Sequence, residues 1–185
     1  YIDKGAKMDD AIAIAINAKV QRPGVCNAME TLLVDTAIAK ETLPLLKVAF
    51  DKADTELKGC ANTQAIIDVA NATEDDYNTE YLANILNIKV VDGVAGAIEH
   101  IVEYGSGHSE AIITENIKSA ESFLNAIDAA AVYVNASTRF TDGGSFGFGA
   151  EVGISTNKLH ARGPMGIEGL TTYKYKVYGS GQVRP

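Results

Sequence analysis

Tryptophan is absent from this chain of 185 residues, aromatic residues make up only 7% of it, and there are just two cysteines, Cys26 and Cys60. Two cysteines cannot build a disulfide framework, and a reducing, cytoplasmic compartment is the simplest reading. No run of about 18 apolar residues occurs, so no membrane span is expected. Mean hydropathy is close to zero, at +0.01. Basic residues are the scarcer charge: 16 Lys and Arg stand against 24 Asp and Glu, giving a net charge of -8. A nucleic-acid partner is therefore not expected, because phosphate binding needs a basic face. No pair of histidines or cysteines has ligand spacing, so no metal is expected either. What is present is globular in character, with 46% hydrophobic and 22% charged residues. A chain of this length buries roughly 70% of its unfolded surface, enough for one core without covalent staples.

The chain opens on Tyr1-Ile2-Asp3. These residues read as the end of a strand, and the expectation is a domain cut from a longer protein; a trimmed start is the alternative. Asp9 to Lys19 alternates Ile12, Ile14 and Ile16 as a strand would, but its alanines and the acidic Asp9-Asp10 first turn favour a helix. Gln21-Arg22-Pro23-Gly24 breaks that helix. Thr31 to Asp35 then reads as a buried strand. Ala37 to Lys52 reads as a helix with Leu43, Leu46 and Phe50 on one face. Glu56 to Ala61 suits a short strand, Thr63 to Asn71 a helix, and the acidic Ala72 to Thr79 a loop. Ile85 to Asp92 is a strong strand, and Val94 to Tyr104 is a helix stopped by Gly105. Glu110 to Thr114, Ile117 to Ala126 and Ala130 to Asn135 complete the alternation as strand, helix and strand. Strands separated by helices predict a parallel sheet with helices on both faces.

Eight of the 17 glycines fall between Gly143 and Gly169. That stretch predicts a long backbone-lined loop rather than ordinary sheet or helix, and such loops in compact domains usually serve function. At the end, Tyr173, Tyr175 and Val177 alternate with Lys174 and Lys176, a strand pattern over Thr171 to Tyr178.

Cys26 follows a Pro-Gly break at the join of helix and strand, a setting that can expose and hold a nucleophile. A buried small hydrophobe is the equally weighted alternative. Cys60 lacks that setting and reads as structural. A Cys–His hydrolase pairing of Cys26 with His100, His108 or His160 has no support from spacing. His100 is expected at the surface of its helix, and His108 in a turn, bonded to backbone. Gly147 to Gly153 is not a dinucleotide fingerprint: its spacing is off by one and no strong strand leads into it. Arg139 lies just past a strand end, where ligands of parallel sheets bind, and its fork suits a carboxylate or phosphate. A surface ion pair is the alternative.

The segment Gln21-Arg22-Pro23-Gly24-Val25-Cys26-Asn27-Ala28-Met29-Glu30-Thr31-Leu32-Leu33-Val34 resembles the nucleophile segment of the gamma-glutamyl phosphate reductase family, within the aldehyde dehydrogenase superfamily. Val91-Asp92-Gly93 through His108-Ser109-Glu110-Ala111-Ile112 is similar to a second signature. Asn135-Ala136-Ser137-Thr138-Arg139-Phe140-Thr141-Asp142-Gly143-Gly144, Phe146 through Ser155-Thr156, and His160-Ala161-Arg162-Gly163-Pro164-Met165-Gly166 are similar to a third. Met29 and Ser145 are small departures. The resemblance implies an α/β fold: a three-layer parallel-sheet catalytic domain of aldehyde dehydrogenase type with a carboxyl-terminal oligomerisation strand. Residues 1–169 would be the catalytic cysteine domain with its glycine-rich substrate loop, and residues 170–185 the strand for oligomerisation. An amino-terminal NADPH-binding domain would lie upstream, absent here.

The activity so implied is NADPH-dependent reduction of L-glutamyl 5-phosphate to L-glutamate 5-semialdehyde and phosphate through a cysteine thioester, in proline biosynthesis. Cys26 would be the nucleophile. Asn27, Ser137, Thr138 and Arg139 would bind substrate, and Glu80 would contact the nicotinamide ribose of NADPH. The partners implied are the small-molecule substrate and further copies of the chain in a homo-oligomer, with no nucleic acid and no membrane. The rival readings are a thiol hydrolase using Cys26 and a histidine, and a non-catalytic assembly domain.

Overall fold

Alanine decides the first element. Ala11, Ala15 and Ala18 are buried at helical spacing while Ile12, Ile14 and Ile16 are half-buried around them, so the isoleucine alternation does not make a strand. The computed structural model describes every residue from Tyr1 to Pro185. The order is α1 (Met8–Val20), β1 (Thr31–Asp35), α2 (Ala39–Asp51), β2 (Glu56–Gly59), α3 (Ala61–Gln64), β3 (Ala70–Asn71) and α4 (Glu74–Tyr77). It continues with β4 (Ile85–Val91), α5 (Gly93–Tyr104), β5 (Ser109–Ile112), α6 (Ile117–Ala126), β6 (Ala131–Val134), β7 (Gly153–Ser155) and β8 (Gly163–Met165).

β1, β4, β2 and β3 form one parallel sheet in that order, and β5 pairs with β6 in a second. The chain's first residues join them. Ile2 bridges Val34 on one side and Ile113 on the other, both in parallel sense. Its N–H donates to Leu33 at 2.9 Å and its carbonyl accepts from Asp35 at 3.0 Å. On the far side, Tyr1 carbonyl accepts from Ile113 at 2.8 Å and Asp3 N–H donates to Ile113 at 3.1 Å. The result is one continuous parallel sheet, β6-β5-Ile2-β1-β4-β2-β3. Tyr1-Ile2-Asp3, expected as the end of a strand, pair through Ile2 in the middle of the sheet.

Side chains alternate across this sheet and feed two cores. Ile2, Leu32, Val34, Leu86 and Ile88 pack with Ala11 and Ala15 of α1 and with Leu43, Leu46 and Phe50 of α2. Tyr1, Leu33, Val91 and Ile112 pack on the other face with Ala97 of α5 and Phe123 of α6. Helices on both faces make the three layers that the alternation predicted.

Four expectations need correction. Thr63 to Asn71 is not a helix; a single turn, α3, gives way to β3, whose Ala70 and Asn71 pair with Lys58 and Gly59. The Thr63 hydroxyl is drawn inward, donating to Ile88 carbonyl at 3.0 Å, and sheet pairing outweighs local propensity. Within Ala72 to Thr79 the acidic residues form α4 rather than an open loop, closed by a capping box between Thr73 and Asp76. The glycine-rich stretch is not free of sheet: β7 and β8 pair antiparallel, Gly153 with Met165 and Ser155 with Gly163. Thr171 to Tyr178 forms no strand within the single chain, and Tyr173, Tyr175, Val177 and Tyr178 are exposed. An alternating pattern makes a strand only where an edge is available to pair with it.

Replacing Ile2 by Ala removes a side chain that is 1% exposed and shared by both halves of the sheet. Chemical denaturation should show a loss of about 3 kcal/mol. A loss below about 1 kcal/mol would mean that the two halves hold together without it.

Candidate active site

The Pro-Gly break does what its chemistry requires. After α1 the chain leaves helical geometry and makes tight turns through Cys26, whose thiol is exposed. Three ties close this loop at its base. Met29 N–H donates to Ala18 carbonyl at 2.9 Å. Lys19 Nζ sits 2.8 Å from Glu30 Oε2, with the lysine side chain fully buried. Arg139 spans the loop, its Nε donating to Gln21 Oε1 at 2.7 Å and its Nη1 to Asn27 Oδ1.

Asn27 is itself buried and held from three directions. Its Nδ2 donates to Thr141 carbonyl at 2.9 Å, and its carbonyl accepts from Thr138 Oγ1 at 2.7 Å. Ser137 Oγ accepts from Arg139 N–H and caps the short turn Thr138–Phe140. The hydroxyls of Ser137 and Thr138 and the guanidinium of Arg139 therefore all have partners within the chain.

Arg139 does follow the carboxyl end of β6, but the site is not there. Asn135 adopts a left-handed conformation, φ 55°, and its side chain pairs with both backbone groups of Thr114. The chain reverses at this point and runs back to the amino ends of the strands. Thr141 Oγ1 then meets Ser109 Oγ at 2.6 Å and Tyr133 Oη at 2.7 Å. Cys26 precedes the amino end of β1, so the usual carboxyl-end rule for parallel sheets does not locate this site.

Cys26 and Asn27 stand on a wall between two cavities. One, of about 420 Å³, is lined by Glu80, Tyr77, His100, His108, Glu110 and Thr138 among others. The second, of about 530 Å³, is polar and carries Arg22, Arg139, Asp142, Ser145 and Glu151. Cys26, Asn27, Glu80 and Thr138 thus share the first cavity, and Cys26, Asn27 and Arg139 the second. Ser137 is buried behind them.

Glu80 is exposed, and its carboxylate makes no hydrogen bond within the chain. Its neighbour Tyr81 anchors the loop, with Oη donating to Asp76 Oδ1 at 2.7 Å and lying 3.0 Å from Asn87 Oδ1. Lys58 supports that anchor from 2.7 Å. Hydrogen bonds from Lys58, the Thr73 backbone and Tyr81 hold the Asp76 carboxyl well below the usual carboxylate range. At the start of β5, burial pushes the Glu110 carboxyl up to about 7, so the cavity carries less negative charge at neutral pH than its residue types suggest.

His100 is not at the surface as expected but 6% exposed. Its ring packs edge-on to Tyr77 at 5.0 Å and against Tyr104 at 4.6 Å. Burial, and then the charge of Lys89, bring it down to about 4. His108 bonds the Ser109 hydroxyl at 2.8 Å through its ring rather than backbone. Neither ring bonds to the Cys26 thiol. The other thiol, Cys60, is half-buried, with Sγ 3.3 Å from Thr63 Oγ1. Burial raises its pKa, but hydrogen bonds from Thr63 and from the backbone at Val90, Thr63 and Asn62 outweigh this and leave it lowered.

Gln21, Thr141, Lys19 and Glu30 were not singled out from the sequence. Only the motif as a whole pointed to their neighbourhood, because their partners lie far along the chain or are ordinary polar residues.

No protein-family model matches the chain. Over 184 residues it is 83% identical to gamma-glutamyl phosphate reductase from Sulfurovum sp. (strain NBC37-1), covering 100% of this chain and 45% of that protein. The crystal structure of gamma-glutamyl phosphate reductase from Thermotoga maritima superposes with a TM-score of 0.96 at 57% identity, over 100% of this chain and 45% of that one. An acetylating aldehyde dehydrogenase from Geobacillus thermoglucosidasius shares the fold, with a TM-score of 0.61 at 22% identity over 78% of this chain and 41% of that one. The chain is therefore similar, along its whole length, to part of the gamma-glutamyl phosphate reductases, and its fold is of aldehyde dehydrogenase type. It spans about 45% of the length of the curated relatives it matches.

Iodoacetamide should modify Cys26 before Cys60 in the folded chain, by peptide mapping, because exposure as well as thiolate fraction sets the rate. Arg139→Lys retains charge but cannot bridge Gln21 and Asn27 with one planar fork. It should lower stability by about 2 kcal/mol, the order of a charged hydrogen bond. Prior labelling of Cys60, or an unaltered denaturation midpoint, would contradict this account of the loop.

Proposed function

We propose that this chain supplies the thiol and the substrate pocket of an NADPH-dependent reductase that converts L-glutamyl 5-phosphate to L-glutamate 5-semialdehyde and phosphate, a step of proline biosynthesis. The observation that carries this reading is the exposed thiol of Cys26 on a closed loop, between a polar arginine-bearing cavity and one with Glu80 at its edge. The likeness to gamma-glutamyl phosphate reductases supports it.

The Cys26 thiolate attacks the acyl carbon of the substrate. The bond from that carbon to the phosphate oxygen breaks, phosphate leaves with the electron pair, and a thioester to Cys26 Sγ remains. The backbone N–H of Cys26 makes no hydrogen bond within the chain, so it is available to the oxygen that gains charge. Arg22 and the free edge of Arg139 lie in the polar cavity, where their positive charge favours an anionic substrate despite the net charge of the whole protein. The Asn27 amide and the hydroxyls of Ser137 and Thr138 are engaged within the chain and keep the pocket wall fixed.

The first cavity fits the nicotinamide end of the cofactor. Its volume lies in the range of small-molecule sites, and the unpartnered Glu80 carboxylate can accept hydrogen bonds from ribose hydroxyls. When bound, the nicotinamide supplies the hydride that reduces the thioester carbon. Collapse of the resulting hemithioacetal at Cys26 breaks its carbon–sulfur bond, frees the aldehyde and returns the thiolate. In this reading the phosphates and adenine are held by the part of the relatives' length that this chain does not span. Residues 170–185 serve as a strand for homo-oligomer assembly, which accounts for the exposed Tyr173, Tyr175 and Val177. Two unpaired cysteines suit a cytoplasmic setting.

In the complete reductase, Cys26→Ala should lower kcat about a thousandfold or more, while Cys60→Ala should stay within about threefold, by NADPH oxidation with freshly made acyl phosphate. Comparable turnover by the Cys26 variant would overturn the assignment.

A further inference from the structure

Glu30 is the residue immediately before β1, and two donors from different parts of the fold converge on its carboxylate. Lys19 Nζ reaches Oε2 at 2.8 Å from the last turn of α1. The Leu82 backbone N–H reaches Oε1 at 3.4 Å from the loop that carries Glu80. Leu82 is in the left-handed region, φ 53°, a conformation that a leucine holds only where its surroundings impose it. Lys19 is fully buried and α1 is packed into the core through Ala11, Ala15 and Ala18. The tie therefore runs from a fixed helix, through one carboxylate, to the Glu80 loop.

The same carboxylate closes the Cys26 loop at its base and lines the cavity that Cys26 and Glu80 share. Burial raises the Glu30 carboxyl, the Lys19 hydrogen bond and charge oppose this, the Leu82 N–H adds to that opposition, and the charge of Glu80 is near enough to push it up again. Both partners of Glu30 are donors. A carboxylate accepts from each, whereas a carboxamide has one accepting oxygen and must turn its NH₂ towards a donor.

We propose that Glu30 is a positioning residue that fixes the Glu80 loop relative to the Cys26 loop, and so sets the placement of the ribose end of the cofactor against the thiol. This rests on the reductase reading, and it goes beyond it by giving a role to a group that touches neither substrate nor cofactor. Lys19 is its anchor. Replacing a buried ion pair by apolar side chains is often neutral in stability, whereas leaving a buried charge such as that of Lys19 alone is not.

Two double variants of the complete reductase separate the tie from the charge. Lys19→Met/Glu30→Gln removes the buried ammonium and leaves one acceptor for the Leu82 N–H. Lys19→Met/Glu30→Leu removes the ammonium and the acceptor together. The Kd for NADPH, from its fluorescence, should stay within about threefold of wild type in the first and rise about tenfold in the second, a difference of about 1.4 kcal/mol. The rate of Cys26 alkylation should agree within about twofold between them. Equal NADPH affinities in the two variants would overturn the proposal. So would a fall in Cys26 alkylation that parallels the loss of affinity, because Glu30 would then hold only the thiol loop. A wild-type protein that binds NADPH yet reduces no acyl phosphate would count against the reductase reading and leave the affinity comparison intact.

Discussion

The arrangement depends on one constraint: a short loop between α1 and β1 must present a thiol without moving. A loop of turns has little internal stability of its own, since fixing each residue costs about 1–2 kcal/mol in backbone entropy. Arg139 meets that cost by joining Gln21 to Asn27, while Lys19 and Glu30 join the two elements just outside. The bond made at Asn27 is then extended inward, to Thr138 and Thr141. Thr141 in turn rests on the hydroxyls of Ser109, at the amino end of β5, and of Tyr133 in β6. The position of Cys26 is thus referred to the sheet through polar contacts, which are directional, rather than through apolar packing, which is not.

That chain of contacts explains why the sheet must be continuous. β5 and β6 support Thr141, whereas α1 and β1 bear the Cys26 loop. Within the sheet, the two groups are joined through Ile2, which lies between Val34 and Ile113. A shift of one half against the other would slide Thr141 past Asn27. The first three residues therefore do more than fill a slot in the core; they set the geometry of the candidate site.

Local pattern made much of the fold legible. The apolar run of β1 and the apolar face of α2 show in the residues themselves, and α6 begins and ends where its pattern does. The misread parts are those where a partner distant in sequence decides the outcome. Thr63 to Asn71 has helical composition but meets the edge of β2. His100 lies on an amphipathic helix, yet Tyr77 and Lys89 cover it from other elements. Within the candidate site, Cys26, Asn27, Glu80 and Thr138 line one cavity although they lie far apart in the sequence. The engagement of Arg139 with Gln21 and Asn27 was not legible, because no local pattern can show a contact between residues 112 positions apart. Nor could spacing show the reversal at Asn135, which depends on a left-handed residue paired with Thr114.

The most direct measurement is of the acyl group itself. The complete reductase, mixed with acyl phosphate in the absence of NADPH and quenched in acid, can be digested and examined by mass spectrometry. The account predicts one glutamyl group per chain on the peptide containing Cys26, removed by hydroxylamine as a thioester would be. Acylation of another residue, or full reductive turnover by a protein in which Cys26 never becomes acylated, would contradict it.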